Sequence, residues 1–165
     1  MKIAVIYYSR TGNTKQVAQQ LEEKLKLRNR DVDVIEIQAV KKPGFFSAGS
    51  AAMKQKDLPI KNSGFDLKPY DTLLVGSPTW AGQPSPFIKT FFSSAKNAKG
   101  RRTALFIIGG GKLGTHANAL ATMKNNLEQT GVTVADAFLE LQMNKGTIVA
   151  GEQDIDGFLE KAVPL

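Results

Sequence analysis

Six consecutive residues, Ser9-Arg10-Thr11-Gly12-Asn13-Thr14, carry the densest set of ligand-holding groups in the chain. They follow an apolar run, Ile3 to Tyr8, that reads as a buried strand ending in a turn signal. They precede Thr14 to Leu27, where Val17, Leu21 and Leu25 recur at helical spacing. A strand that turns sharply into a helix leaves unpaired N–H groups converging at the helix start, with the helix dipole behind them. That is a seat for a phosphate or a similar anion. Gly12 lets the backbone close in, while Ser9, Thr11 and Thr14 offer hydroxyl donors. Ser, Thr and Asn also cap helices that bind nothing, but three hydroxyls, an Asn and a Gly exceed what a cap requires. The spaced glycines and Lys-Ser/Thr ending of a nucleoside-triphosphate loop are missing.

Two further segments qualify because of what precedes them. Strand-like runs span Lys2–Tyr8, Val32–Ile37, Thr72–Gly76, Thr103–Ile108 and Val132–Leu141. Helix-like runs span Thr14–Leu27, Pro84–Ala95, Thr115–Thr130 and Asp154–Val163, with Gly131 placed to end the third. Strands apolar on both faces, alternating with helices, predict one α/β domain over residues 1–165 with a parallel sheet covered on both sides. Ligands then bind beyond the carboxyl ends of the strands, where strand order reverses.

After the third strand, residues 76 to 86 carry three prolines, two glycines and the only Trp, Trp80. An indole on a stiff loop at that edge predicts a stacking platform for a planar ring; the plainer alternative is a plug over the core. After the fourth strand, Gly109, Gly111 and Gly114 fit a G-x-G-x-x-G pattern, with Asp136 22 positions further on. Too little chain follows for a dinucleotide fold, so backbone approach to a flat ligand explains the glycines equally well. Lys112 and His116 are expected to be solvated. Residues 38 to 70 are the weakest part of the pattern: Phe45 to Gln55 suits a helix and Lys56 to Pro69 an irregular connection.

Composition narrows the chemistry. With no cysteine and one histidine, thiolate catalysis, iron–sulfur ligation and a histidine-built metal site are not expected. No membrane-length apolar run and no leader pattern occur, so a cytoplasmic location is expected. The 22 basic and 15 acidic residues give +7, and the imbalance has one source. Positions 72 to 127 hold seven Lys or Arg and no carboxylate, leaving 15 of each sign elsewhere. Such a stretch attracts acidic partners. No interleaved aromatic–basic motif points to nucleic acid. A phosphoacceptor receiver is excluded, because Tyr7-Tyr8 and Gly76-Ser77 stand where its acidic residues belong.

The hydroxyl-rich turn Tyr8–Thr14, the loop Gly76-Ser77-Pro78-Thr79-Trp80-Ala81-Gly82 and the glycines after the fourth strand resemble, together, the flavodoxin-like family. The nearest likeness is to small single-domain flavodoxins that bind FMN. The resemblance implies a three-layer sandwich with a five-stranded parallel sheet in order 2-1-3-4-5. It implies that Ser9, Arg10, Thr11, Gly12, Asn13 and Thr14 hold the FMN phosphate. Pro78, Thr79, Trp80, Ala81 and Gly82 would flank the isoalloxazine, and Gly109, Gly110 and Gly111 would approach its other side or edge. No side chain need act as acid or base. The implied role is electron carriage between redox partners; the alternative is an NAD(P)H:quinone-type oxidoreductase. Electron carriers of that family are mostly acidic, whereas this chain is basic, so its expected partner carries an acidic docking face. Lys112 at about 10 Å from the ring would favour an anionic reduced flavin by roughly 1.7 kcal/mol at an effective dielectric of about 20.

Overall fold

The structure, a computed structural model, describes residues 1–164. Parallel strands β1 (Lys2–Tyr7), β2 (Asp31–Glu36), β3 (Thr72–Trp80), β5 (Arg102–Gly109) and β6 (Thr133–Asn144) lie side by side in the order β2-β1-β3-β5-β6. Strand order reverses at β1, which places the ligand edge above the carboxyl ends of β1, β3 and β5.

The expectation of a purely parallel five-stranded sheet needs correction. Two short antiparallel strands, β4 (Gln83–Pro84) against β3 and β7 (Thr147–Ala150) against β6, make a mixed sheet of seven. Both arise from two-residue turns with positive φ at each central position: Ala81 (48°) with Gly82 (75°), and Lys145 (46°) with Gly146 (81°). This is the turn geometry whose twist matches a right-handed β-ribbon. The segment after Gly76 is therefore the second half of β3 and a hairpin, not a stiff loop.

Period-two alternation sends each strand's side chains to opposite faces. Ile3, Val5 and Tyr7 of β1 meet Val17, Ala18, Leu21 and Leu25 of α1 (Asn13–Leu27), in a core completed by Ile155, Phe158 and Leu159 of α5 (Ile155–Ala162). Ala4, Ile6 and Tyr8 point the other way. They share a second core with α2 (Phe45–Met53), α3 (Pro86–Ser94) and α4 (Ala117–Glu128). The helix expected within 45–55 is thus present. So is the irregular stretch after it, pinned by isolated bridges Ala39–Ile60 and Asp66–Lys96.

Pro84 belongs to β4 rather than to a helix, and Pro86 takes the first turn of α3, where its missing N–H costs nothing. No helix among the described residues is long and apolar enough to cross a membrane.

Candidate cofactor site

The turn between β1 and α1 is open. Gly12 sits at φ 98°, a conformation that favours glycine, and its carbonyl accepts the first helical bond, from Gln16 N–H at 3.0 Å. The N–H groups of Asn13, Thr14 and Lys15, in the first turn, have no partner inside the helix. No side-chain cap covers the start, and no acidic side chain lies in that turn. Ser9 has a further part in the turn. Its Oγ accepts the Gly12 N–H at 3.1 Å, so it shapes the turn.

Above the strand ends lies a cleft of about 310 Å³, walled by Arg10, Thr11, Asn13 and Thr14 on one side. Pro78, Thr79, Trp80, Gly109 and Gly110 wall it from β3 and β5. Three of the predicted loops thus meet in one cavity. Of the predicted residues, Ser9 lines a neighbouring hollow, Ala81 an adjoining cavity, and Gly12, Gly82 and Gly111 line none of these.

Three residues of the cleft were not foreseen: Phe45, Ile108 and Met143. Met143 is reached because β6 runs three residues beyond the expected Leu141, to Asn144. Phe45 comes from the segment where the pattern is weakest. The only signal there is an adjacent aromatic pair, Phe45 and Phe46, left 72% and 89% exposed.

Trp80 closes β3 and is largely buried. Its ring meets Tyr8 edge-on at 5.6 Å and Phe87 at 6.4 Å. A position inside a strand removes the loop argument for stacking, and the indole is part of the second core. One part of it still borders the cleft. Beside it, Thr79 Oγ1 is buried without a hydrogen-bond partner. A buried hydroxyl left unpaired costs roughly 1–3 kcal/mol, so this atom, in the cleft wall, suits a polar ligand edge.

A second cavity of about 440 Å³ adjoins the first and shares Arg10, Phe45, Thr79 and Trp80 with it. Phe46, Ala48, Gly49, Met53 and Ala81 complete its mainly apolar wall. The Arg10 guanidinium lies 5.7 Å from the Phe45 ring centre, a cation–π contact that leaves its N–H donors free.

Beneath the turn, burial raises the Tyr8 phenol above its ordinary value, against a lowering by Arg10. Burial and then Glu36, which accepts the Tyr7 O–H at 3.1 Å, raise Tyr7 further. Both stay neutral near the site.

The loop after β5 is closed, unlike the turn after β1. His116, expected in solvent, is 3% exposed. Its Nδ1 lies 2.6 Å from Glu140 Oε1 on β6; an ionised carboxylate only accepts, so Nδ1 carries the proton. A Cβ on Gly109 would sit 2.2 Å from His116 Nε2, and one on Gly111 2.6 Å from Thr115 Oγ1. The bare faces of these two glycines are covered by the chain's own side chains rather than kept for a ligand. Lys112 is exposed, as expected, and does not line the cleft.

Part of the basic stretch is engaged away from the cleft. Arg101 and Arg102 donate to the carbonyls of Tyr70 and Lys161 at the far end of the sheet, and Lys89 pairs with Asp57. The hairpin that carries Trp80 holds no cation.

The model of a family described as NADPH-dependent FMN reductase matches residues 1–143. Among solved structures, a flavoprotein from Lactobacillus acidophilus NCFM, crystallised with FMN, superposes with a TM-score of 0.73 at 22% identity, covering 95% of this chain and 97% of that one. A putative flavoprotein from Bacteroides eggerthii gives 0.73 at 20% identity, over 98% and 97%. Flavodoxin 2 from Bacillus cereus gives 0.63 at 20% identity, over 99% and 96%. These likenesses show a flavodoxin-like fold. No curated protein matches the chain.

Proposed function

The chain belongs to the NADPH-dependent FMN reductase family, a flavodoxin-like family of FMN-binding flavoproteins, and from that premise we propose that it is an FMN-dependent NAD(P)H oxidoreductase. The second cavity carries the reading. A carrier that meets only protein partners needs one ligand space at the ligand edge, whereas here two adjoin across Phe45, Thr79 and Trp80. A cavity of about 440 Å³ falls in the range used by small-molecule sites.

FMN, when bound, would supply the hydride and single-electron chemistry that amino-acid side chains lack. The protein's residues bind and orient. The N–H groups of Asn13, Thr14 and Lys15, with the α1 dipole and the Arg10 guanidinium, would hold the phosphate. Ser9 keeps that turn in shape through Gly12 N–H. Thr79 Oγ1 would donate to a polar ring edge. Trp80, held by Tyr8 and Phe87, would form a fixed apolar wall that excludes water. Phe45, Phe46 and Met53 would receive the second planar molecule, a quinone among the acceptors.

The experiment is steady-state NADPH oxidation by FMN-loaded protein, with a water-soluble naphthoquinone as acceptor and NADH in a parallel series. Turnover of about 1 per second or faster, within the usual enzyme range, supports a reductase. Absent turnover with a fully loaded protein returns the reading to a carrier. That second reading has its own observation: the net charge of +7, with Lys42 exposed in the hollow that Ser9 lines and Lys112 exposed in the loop after β5, suits a partner with an acidic docking face. Binding that weakens with added salt supports it.

A further inference from the structure

Glu140 and His116 sit behind the cleft, outside every role given above. The loop between β5 and α4 lies in a stretch without carboxylates, positions 72 to 127, so it holds no anion of its own. Its anion reaches across from β6. One oxygen, Glu140 Oε1, accepts from Gly114 N–H at 2.8 Å, from His116 N–H at 3.3 Å and from His116 Nδ1–H at 2.6 Å. Two residues along the same strand, Gln142 Nε2 donates to the Gly110 carbonyl at 3.1 Å. The register places Glu140 opposite Ile107 and Gln142 opposite Gly109, so both side chains rise at the end of β5. His116 Nε2 lies against Gly109, which lines the cleft together with Gly110.

We infer that Glu140 and His116 are a positioning pair for the ligand. Glu140 clasps the loop and turns the imidazole inward, and the imidazole supports the Gly109–Gly110 backbone at the cleft wall. Neither residue touches the cleft itself. The inference rests on the FMN reading of the site and adds to it the residues that set the shape of one wall.

The test compares Glu140→Ala and Glu140→Gln with the parent in FMN titrations followed by flavin fluorescence. Val132→Ala, at the buried residue just before β6 and far from Glu140, serves as a control for general destabilisation. A Gln oxygen can accept the same three N–H groups. Glu140→Ala should raise the Kd about tenfold, as expected for losing charge-assisted bonds, and Glu140→Gln should recover most of that loss. Amide exchange at Gly114 and His116, whose N–H groups Glu140 accepts, should quicken in the apoprotein of Glu140→Ala and stay near the parent rate in Glu140→Gln. A rise in Kd below threefold, an equal loss in Val132→Ala, no rescue by Gln, or unchanged exchange would each overturn the inference. A parent that takes up no FMN would remove the functional reading, and the exchange rates would still decide whether the clasp exists.

Discussion

The turn after β1 and the loop after β5 wall the same cleft, both contain glycine, and they use it in opposite ways. At Gly12 an added Cβ would meet nothing within 4 Å; glycine is there for its φ of 98°, and the space around it is open. At Gly109 the added atom would strike His116, because the space is already filled. The first segment ends in unpaired N–H groups facing outward. The second spends its polar groups on Glu140 and Gln142. Glycine content alone does not identify a ligand-binding loop; what occupies the missing side chain's volume does.

Gly109→Ala is the harshest test of that contrast. Expelling a buried imidazole and loosening the Glu140 clasp should cost about 3 kcal/mol in denaturant unfolding. A loss below about 1 kcal/mol would show a loop that yields freely, and the contrast would fail. Gly12→Ala should cost less, about 1–2 kcal/mol of backbone strain, or roughly 2–8 °C in Tm for a chain of this size. It should nonetheless weaken FMN binding, because the strained turn no longer converges on the phosphate. Equal stability with unchanged FMN affinity would remove the turn from the site.

The smallest effect is spectroscopic and concerns the tyrosines, two of them beneath the open turn and the third, Tyr70, at the far end of the sheet. All three tyrosines, Tyr7, Tyr8 and Tyr70, are buried and raised above the ordinary value of 10.0. Burial dominates in each, and the Tyr70 O–H to Asp33 bond, at 2.8 Å, helps carry it to about 12. A raised phenol contributes stability that is complete below the unfolded value near 10 and lost as pH climbs through the folded one. Phenolate absorbance should therefore stay low in the native protein at pH 10 to 11 and appear together with unfolding. Reversible ionisation of all three near pH 10, with the fold intact, would show that these phenols are hydrated rather than buried.

Much of this was legible in the residues because each signal had one physical cause. The run Ile3–Tyr8 could only be a strand buried on both faces, and a hydroxyl-rich turn before an amphipathic helix could only leave donors exposed. The two antiparallel strands were hidden because their turns use Ala81 and Lys145 where Asn or Asp is the usual partner of Gly. The sequence signal was absent, and tertiary pairing imposed the geometry. Trp80 misled for the same reason, since its loop is a continuation of β3. His116 read as solvated because its anchor, Glu140, lies 24 positions away on a strand that pairs with β5. Such a contact exists only once the sheet has formed. Phe45 entered the cleft from the segment with the weakest periodicity, where only folding could place it.

The margins of the sheet carry a consequence of their own. An unpaired strand at a sheet boundary invites another chain to add itself there. On one side β2 carries Asp31, Asp33 and Glu36 within six residues, the last two paired with Lys2 and Lys15, so a second copy docking along it would have to strip water from a charged edge. On the other side β7 is four residues long, and its pairing is interrupted between Gln142 and Met143, which leaves a template too short and too irregular to extend. Charge guards one border and brevity the other, the two devices that discourage a further strand from adding to an open sheet.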